Sequence, residues 1–202
     1  FYYGHHMTTI EGGIISTDDE NLYELMKIKR SHGMARLLSP HLYEEAIKKH
    51  PHIDPSFLFL TDGYNFRNTE LNAVLGIEQL KRLDENIEKR RENFEYFMKQ
   101  RAPEKFYVPR HDPGNSSFAF PFICKKREDM LKLKTIFNEL GVEYRPVVSG
   151  NLLLHPFLEK WKDSVNVPNA NLINDNGVYI GNNHFVTVEM LFKVFEAINN
   201  KW

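Results

Sequence analysis

The hydrophobic pattern of the chain changes at Pro103, and this change limits the folds open to it. From Asn68 to that proline, apolar side chains recur at helical spacing, and charged side chains fill the positions between them. Beyond the proline, short extended segments rich in aromatic residues alternate with helical ones. The sequence therefore predicts part of one domain over residues 1–66, connecting helices over 67–102, and a small α/β or α+β domain over 103–202.

Helix caps and chain breakers predict the individual elements. Residues 12–17 predict a short buried strand after a glycine turn. Asp18 or Asp19 is predicted to cap a helix that has Lys29 and Arg30 in its last turn and stops at Gly33. Residues 34–60 predict a long loop, because three prolines interrupt a stretch without periodicity. The remaining predictions are strands over 106–108, 117–124, 142–148 and 178–181, and helices over 130–140 and from Thr187 onward.

The charge balance and the single cysteine exclude several classes of protein. The 202 residues carry a net charge of −1 at a pI of about 6.8, which gives no overall attraction to nucleic acid or to an anionic membrane. We find no signal peptide, and no apolar run approaches the roughly twenty residues of a membrane helix. Cys124 lies in an apolar run, so we expect a buried thiol, no internal disulfide and a cytoplasmic protein.

Residues 5–13 have the composition of a functional site rather than of a core. They combine His5 and His6 with two threonines, one carboxylate and a pair of glycines. The alternative is an ordinary loop with two histidines and a glycine turn. Neighbouring residues on a strand point to opposite faces, so the two histidines would not share an ion easily, and we predict no metal site.

Residues 63–67 form a second candidate, Gly-Tyr-Asn-Phe-Arg, directly before a predicted helix. An amide donor such as Asn65, together with the free N–H groups of a helix start, suits a phosphate oxyanion. The alternative is that Asn65 only caps a turn. The helix that follows ends in Gln-Leu-Lys-Arg-Leu over residues 79–83.

A third group of polar residues lies in the last predicted domain. Arg145 precedes a proline, Asn151 lies in a Gly-Asn-Leu sequence, and His155 precedes another proline. Arg145 suits a diphosphate or a carboxylate, although a surface arginine on an edge strand is an equal alternative.

Together these segments resemble the DegT/DnrJ/EryC1/StrS family of sugar aminotransferases, which use pyridoxal phosphate. Family members carry aromatic-x-x-Lys-x-aliphatic-Thr-Thr-x-Glu-Gly-Gly, which aligns with residues 2–13, and Gly-Tyr-Asn-aromatic-Arg, which aligns with residues 63–67. The resemblance implies an α/β chain, the C-terminal part of a fold-type I transferase like aspartate aminotransferase, ending in a smaller α/β domain. It also implies that the chain is a fragment whose missing half carries most of the cofactor site.

One exchange within this resemblance determines the predicted activity. The family lysine forms a Schiff base with the cofactor, and His5 occupies its position. The members with histidine there are 3-dehydratases of nucleotide-linked 4-keto-6-deoxy sugars. Imidazole cannot form a stable imine but can move protons, so pyridoxamine phosphate should bind non-covalently. The predicted reaction removes the C3 hydroxyl of the sugar, with His5 or His6 as the proton donor to that oxygen.

The resemblance also assigns binding residues and partners. In the family, the asparagine at the position of Asn65 reaches the cofactor phosphate of the other subunit, which implies a homodimer. Glutamate or another amino acid would recharge the cofactor, since a single cysteine argues against an iron–sulfur branch. His155 departs from the glutamine of the dehydratase subset. The residues predicted to bind substrate are Arg67, Arg145, Asn151 and His155.

The sequence leaves two alternative functions open. The chain could be an aminotransferase of the same family with an altered base. It could also be a non-catalytic, cofactor-binding relative in which the loss of lysine abolished catalysis.

Overall fold

The computed structural model describes residues 1–2, 4–100 and 102–202. Its contacts divide the chain into two compact units, Phe1–Leu80 and Lys81–Trp202, which we call unit 1 and unit 2. The predicted division into a large domain, connecting helices and a small domain places its boundaries elsewhere and stays a prediction.

Unit 1 contains the helices α1, Glu20–Lys29, α2, Pro40–Lys49, and α3, Glu70–Leu80. Of the two predicted caps, Asp18 and Asp19, it is Asp19 that caps α1, and its carboxylate accepts a hydrogen bond from the backbone N–H of Leu22 at 3.0 Å. Short 3-10 turns lie at Ala35–Leu37 and Pro55–Phe57.

Two predictions for unit 1 are wrong. Residues 12–17 pair with no other strand in the described part of the chain, and Ile14 and Ile15 are exposed. A strand needs a neighbour to take its hydrogen bonds, and a favourable local sequence does not supply one. Residues 34–60 are not one long loop, because α2 begins at Pro40. Proline is favourable at the first helical position, where its missing N–H would have no partner anyway.

Unit 2 packs helices around an antiparallel sheet. Its helices are α4, Leu83–Gln100, α5, Arg127–Glu139, α6, Pro168–Asn176, and α7, Val188–Lys201. Its strands are β1, Phe106–Tyr107, β2, Ala119–Cys124, β3, Tyr144–Pro146, and β4, Gly177–Gly181. In the described residues the strand order is β1-β2-β4-β3, and β2 pairs with β4 in the register Phe120↔Ile180. The predicted mixed helix and sheet domain is confirmed.

The core of unit 2 is rich in aromatic residues. Phe122 on β2 has ring contacts with Phe97 on α4, Phe137 on α5 and Phe195 on α7, at centroid distances of 5.2–6.1 Å. Cys124 is fully buried among these side chains, as predicted, and burial raises the pKa of its thiol to about 12. Thr187 caps α7, and its hydroxyl accepts a hydrogen bond from the backbone N–H of Met190 at 3.2 Å.

The helix α6 has no counterpart among the predicted elements, and β3 is shorter than the strand predicted over residues 142–148. Four of the nine residues of α6 are asparagines, which have a weak intrinsic preference for helix, so the helix depends on its packing. β3 ends at Pro146 because the backbone turns into left-handed conformations at Val148.

Candidate functional site

Residues 5–13 are held against α3 by Asn72. Its side-chain N–H donates to the carbonyl oxygen of Thr9 at 2.6 Å, and its Oδ1 accepts from the hydroxyl of Thr69 at 2.6 Å. Thr9 is buried, and its hydroxyl donates to the carbonyl oxygen of Glu11 at 2.7 Å. The structure therefore brings the first candidate segment onto the helix that follows the second one.

The backbone of this segment has an unusual conformation. Ile10 has a φ of 74°, in the left-handed region that β-branched residues rarely adopt. Gly12 has a φ of +152°, which residues with a side chain rarely adopt, and an added Cβ would lie 2.7 Å from the Thr9 hydroxyl oxygen and 2.9 Å from Nδ2 of Asn68, so this position favours glycine. Strained and closely packed backbone of this kind often marks a functional site.

The imidazole of His5 is accessible. The residue is exposed, its backbone N–H donates to the carbonyl oxygen of Tyr2 at 3.0 Å, and its ring lies edge-on to the Tyr2 ring at 6.0 Å. Within the described residues neither ring nitrogen has a hydrogen bond or ion pair. His6 is half-buried. An imidazole held by its backbone with both nitrogens available can accept and donate a proton.

The second candidate segment is fixed by backbone hydrogen bonds to the end of α1. The N–H of Tyr64 donates to the carbonyl oxygen of Lys29 at 2.7 Å, and the N–H of Phe66 donates to that of Arg30 at 2.9 Å. The N–H of His32 donates in turn to the carbonyl oxygen of Tyr64 at 2.8 Å. These bonds fix the backbone on both sides of Asn65.

Two glycines allow the close backbone approach at this place. A Cβ on Gly63 would lie 2.3 Å from the backbone nitrogen of Gly33 and 2.4 Å from the carbonyl carbon of His32. A Cβ on Gly33, which has a φ of +79°, would lie 1.9 Å from the carbonyl oxygen of Thr61. Neither position can accept a side chain without a backbone shift.

Asn65 and Arg67 present a set of N–H donors. Both residues are exposed, and Nε of Arg67 donates to Oδ1 of Asn65 at 3.5 Å, near the limit of a hydrogen bond. The Asn65 amide N–H groups and the remaining guanidinium N–H groups make no hydrogen bond within the described residues. Amide and guanidinium donors two residues apart suit an oxyanion such as a phosphate.

Glu24 is a supporting residue that the sequence analysis did not identify. Its buried carboxylate accepts hydrogen bonds from the hydroxyl and the backbone N–H of Ser39, at 2.5 and 2.9 Å, and from the Lys27 ammonium at 2.9 Å. The bond from the Ser39 hydroxyl, followed by that from Lys27, lowers the pKa of Glu24 to about 2. A carboxylate on the apolar face of α1, one turn before Ile28, was the available signal.

In unit 2, Arg145 and His155 are partly committed to local contacts. Arg145 is exposed on β3, and its guanidinium donates to Oε1 of Glu143 at 2.8 and 3.1 Å. His155 is half-buried, and its Nε2 lies 3.1 Å from the carbonyl oxygen of Ser149. Between them the backbone takes positive φ at Val148, Ser149 and Gly150, with values of 35°, 67° and 69°.

Asn151 is buried within a network of asparagines. Its side-chain N–H donates to Oδ1 of Asn171 at 2.6 Å, its Oδ1 accepts from the N–H of Leu153 at 3.0 Å, and its backbone N–H donates to Oδ1 of Asn174 at 3.1 Å. The same Asn174 oxygen would lie 2.2 Å from a Cβ on Gly150. The Gly-Asn pair therefore joins this turn to α6.

The predicted site residues fall into two sets. His5, Asn65 and Arg67 belong to unit 1, and Arg145, Asn151 and His155 belong to unit 2. Within unit 1, Asn72 holds the first candidate segment by hydrogen bonds, and Gly12, Gly33 and Gly63 allow the close packing of the two segments. The roles assigned to all six residues stay predictions.

In residues 1–2, 4–100 and 102–202, no group of three or more His, Cys, Asp or Glu side chains is placed to hold a metal ion. None of the helices in this part of the chain combines the length and the apolar composition that a membrane crossing needs.

Comparison with known proteins identifies the family. Residues 1–199 match the model of the DegT/DnrJ/EryC1/StrS aminotransferase family. The chain is 37% identical over 187 residues to GDP-4-keto-6-deoxy-D-mannose 3-dehydratase of Escherichia coli O55:H7, an alignment that covers 90% of this chain and 48% of that protein.

Solved structures agree with this match. The structure is similar to that of the E. coli GDP-4-keto-6-deoxy-D-mannose-3-dehydratase with bound hydrated PLP, with a TM-score of 0.82, 34% identity, and coverage of 98% of this chain and 52% of that one. A GDP-4-keto-6-deoxymannose-3-dehydratase with a trapped PLP-glutamate geminal diamine gives a TM-score of 0.77 at 32% identity, covering 98% and 53% of the two chains. The chain spans about half the length of these relatives, and the fold-type I prediction is confirmed. The chain belongs to the DegT/DnrJ/EryC1/StrS aminotransferase family.

Proposed function

We propose that the protein removes the C3 hydroxyl of a GDP-linked 4-keto-6-deoxy sugar, with pyridoxamine phosphate as its cofactor. The main support for the proposal is that His5 has an accessible imidazole and occupies the position where aminotransferases of the family have lysine. The similarity to proteins named GDP-4-keto-6-deoxymannose 3-dehydratases supports both the reaction and the nucleotide.

The residues of unit 1 fit such a cofactor. Asn65 and Arg67 offer unpaired amide and guanidinium N–H groups of the kind that bind a phosphate. When bound, the cofactor supplies an amine that condenses with the C4 ketone and a ring that accepts electrons. Because the chain has histidine in place of lysine at position 5, retention depends on these non-covalent contacts, and an amino donor such as glutamate restores the amine.

We assign the proton transfer to His5. Its imidazole takes a proton at the methylene carbon of the cofactor amine, and the C3 oxygen of the sugar leaves with a proton. His5 or His6 donates that proton. The hydrogen bonds of Asn72 and the close contact at Gly12 hold the backbone of this segment, which fixes where the imidazole can reach.

For unit 2 we propose substrate binding at Arg145 and His155 and a positioning role for Asn151. Arg145 is exposed, and its guanidinium can replace its hydrogen bonds to Glu143 by hydrogen bonds to a diphosphate or to the carboxylate of the amino donor. Asn151 is buried, so it supports the turn that carries its neighbours. A cytoplasmic location is consistent with a single buried thiol of raised pKa.

The change His5→Asn tests the chemistry. It keeps a polar side chain of similar reach and removes the titratable base. We expect the variant to bind pyridoxamine phosphate and sugar, and to lose about a hundred- to ten-thousand-fold in turnover. Mass spectrometry of the sugar should show loss of the C3 oxygen with the natural protein.

His41→Asn provides the matched control, because His41 is an exposed histidine of the same unit. Its turnover should equal that of the natural protein. An aminosugar that keeps its C3 oxygen would contradict the proposal and would identify an aminotransferase instead. No reaction with the full protein, despite bound cofactor, would favour a binding protein.

We also propose a homodimer in which Asn65 reaches the cofactor phosphate of the other subunit. Asn65→Ala should weaken cofactor binding by about 1.5–3 kcal/mol, as expected for a hydrogen bond to a charged group. Cofactor titration followed by absorbance measures this change, and Asn21→Ala, at an exposed position on α1, is the control. A fully active monomer in analytical ultracentrifugation would refute the dimer.

A further inference from the structure

Ser31, which lies just after α1, has a buried hydroxyl without a hydrogen-bond partner. The residue is 2% exposed, and its Oγ makes no hydrogen bond within the described residues. Its backbone is paired, because its N–H donates to the carbonyl oxygen of Ile28 at 2.9 Å. Buried polar side chains are almost always hydrogen-bonded, since an unpaired one costs free energy. The unpaired hydroxyl therefore indicates a partner that the side chain gains in another state of the protein.

The residue directly opposite Ser31 is Asn65, and the two form an isolated antiparallel bridge. The backbone hydrogen bonds on either side of this pair involve the carbonyl oxygen of Arg30 and the N–H of His32, at 2.9 and 2.8 Å. Ser31 and Asn65 are therefore a non-hydrogen-bonded pair, the kind in which opposite side chains share one face and lie closest. In such pairs the Cβ atoms are about 4.5–5.5 Å apart.

The backbone around this bridge holds the pair in register. His32 has a φ of 65°, in the left-handed region that residues with a side chain rarely adopt. A Cβ on Gly63 would lie 2.3 Å from the backbone nitrogen of Gly33, which shows how closely the two segments approach. A slip by one residue would turn the side chains to the other face, and the packing leaves no room for it. The Ser31 hydroxyl therefore stays beside Asn65.

The charged groups that neighbour this bridge in the chain are already paired. The Lys29 ammonium donates to Oδ1 of Asp62 at 2.9 Å, and the same oxygen accepts from the hydroxyl of Thr61 at 2.8 Å. These bonds lower the pKa of Asp62, the bond from Lys29 more than that from Thr61. The side chain that remains available to Ser31 is therefore the amide of Asn65.

The amide of Asn65 can take up the Ser31 hydroxyl by a rotation of its own side chain. Within the described residues its Oδ1 accepts a hydrogen bond from Nε of Arg67, at 3.5 Å, which is near the limit of such a bond. The terminal torsion of asparagine is broad, so the amide can turn at little cost. A serine hydroxyl can donate to the carbonyl end of an amide or accept from its N–H end. An oxyanion accepts only from the N–H end, so its binding selects the arrangement in which Ser31 donates to Oδ1.

We propose that Ser31 is a positioning residue for the cofactor phosphate and that it acts through Asn65. When an oxyanion binds, the Ser31 hydroxyl donates to Oδ1 of Asn65, and both amide N–H groups face the ligand. The hydroxyl gains its partner only in the bound state, so this bond contributes to affinity and not to the stability of the free protein. The inference rests on the proposed function, because it takes the ligand of Asn65 to be that phosphate.

Ser31→Ala separates a role in binding from a role in folding. In the full protein, we expect pyridoxamine phosphate to bind about five- to thirtyfold more weakly, as measured by absorbance titration. The melting temperature of the free protein should stay equal or rise, because the change removes an unpaired buried hydroxyl. A lower melting temperature with unchanged affinity would overturn the proposal and show a purely structural serine.

Ser39→Ala is the matched control, because the Ser39 hydroxyl is already paired with Glu24 at 2.5 Å. This variant should melt at a lower temperature and bind pyridoxamine phosphate with the natural affinity. If Ser31→Ala does not fold, Ser31→Cys replaces it, since its thiol is similar in size to the hydroxyl and only a weak donor. Natural affinity in Ser31→Cys would then overturn the proposal.

A double-mutant cycle tests whether Ser31 acts through Asn65. Ser31→Ala should cause no further loss of affinity when Asn65 is already alanine, whereas independent, additive losses would overturn the proposal. Pyridoxamine, which lacks the phosphate, should bind equally to Ser31→Ala and to the natural protein. An equal loss of affinity for pyridoxamine and for its phosphate would contradict the assigned ligand group.

The outcomes also separate this inference from the proposed function. Pyridoxamine phosphate binding that depends on Ser31 and Asn65 together, without sugar conversion, would reject the proposed function and leave the role of Ser31 standing. Sugar conversion by the natural protein, with natural cofactor affinity in Ser31→Ala, would reject the role of Ser31 and leave the proposed function standing.

Discussion

Unit 1 and unit 2 are stabilised in different ways. Among the described residues, sixteen buried apolar side chains form one cluster in unit 2, whereas the cluster in unit 1 consists of Ala35, Ala46 and Leu58. The order of unit 1 comes mainly from backbone hydrogen bonds, from glycines in close contact, and from the carboxylate of Glu24. The residues with predicted chemistry in unit 1 thus rest on polar and steric constraints rather than on a large core.

A comparison of α3 in unit 1 with α7 in unit 2 shows the same difference in the burial of apolar side chains. Leu71, Val74, Ile77 and Leu80 are 58–78% exposed, and no residue of α3 is buried. In unit 2, by contrast, α7 buries Leu191, Val194, Phe195 and Ile198. An apolar helix that buries none of its side chains gains little from the hydrophobic effect within its own unit. The comparison predicts that substitutions in the two units act through different mechanisms.

The largest effect should come from the core of unit 2. Phe122→Ala removes a fully buried ring that contacts four other aromatic rings, and should lower the free energy of unfolding by about 3–5 kcal/mol. Urea unfolding followed by tryptophan fluorescence reports this unit, since Trp161 and Trp202 both lie in it. Phe192→Ala, at an exposed position, should change little, and equal effects of the two variants would contradict the assigned core.

A smaller effect should follow from a backbone contact in unit 1. Gly63→Ala places a Cβ against the backbone of His32 and Gly33, and should cost about 2–4 kcal/mol. Hydrogen exchange of the peptides around residues 29–33 and 59–67 measures this loss. Gly13→Ala is the control, because nothing lies within 4 Å of its added Cβ. If exchange increased equally in both variants, the close backbone approach would not be what stabilises unit 1.

The smallest effect concerns pH. The pKa of Glu24 falls from 4.5 to about 2 in the folded protein, so its carboxylate stabilises unit 1 above about pH 4.5. This contribution should be lost as the pH falls from about 4.5 towards 2, where the folded carboxyl takes up its proton. The protection of backbone amides in α1 and α2, corrected for the pH dependence of intrinsic exchange, should therefore decrease in acid for the natural protein and depend less on pH in Glu24→Gln.

Glu44→Gln, at an exposed position on α2, is the control for this pH series and should keep the natural pH dependence. An unchanged acid response in Glu24→Gln would show that another group controls it. Tryptophan fluorescence of unit 2 should stay the same in both variants, because Glu24 lies in unit 1.

The sequence predicted the elements whose signals are local and repeated. Asp19 as the cap of α1, Thr187 as the cap of α7, and the buried aromatic strand around Phe122 are all confirmed. The two errors in unit 1 involve signals that depend on context. Proline is typical of a chain break, but Pro40 starts α2. Residues 12–17 have a strand-forming composition, but no strand among the described residues pairs with them.

The same distinction between local signals and context-dependent signals applies to the residues of the candidate site. The position of His5 and the donor pair Asn65 and Arg67 could be read from the order of residues, because a motif is a property of the chain itself. The supports of that site could not. Asn72 acts on Thr9 across 63 positions, and Glu24 acts on Ser39 across 15, so both contacts exist only after the chain has folded.

The sequence by itself determined the family, the exchange of lysine for histidine at position 5, and the alternation of helices and strands after Pro103. These depend on residue identity and on periodicity, which are fixed before folding. Only the tertiary structure decided that Asn151 and Glu24 are buried and which hydrogen bonds they make. Burial and hydrogen bonding depend on the space around a side chain, and that space forms when distant segments pack together.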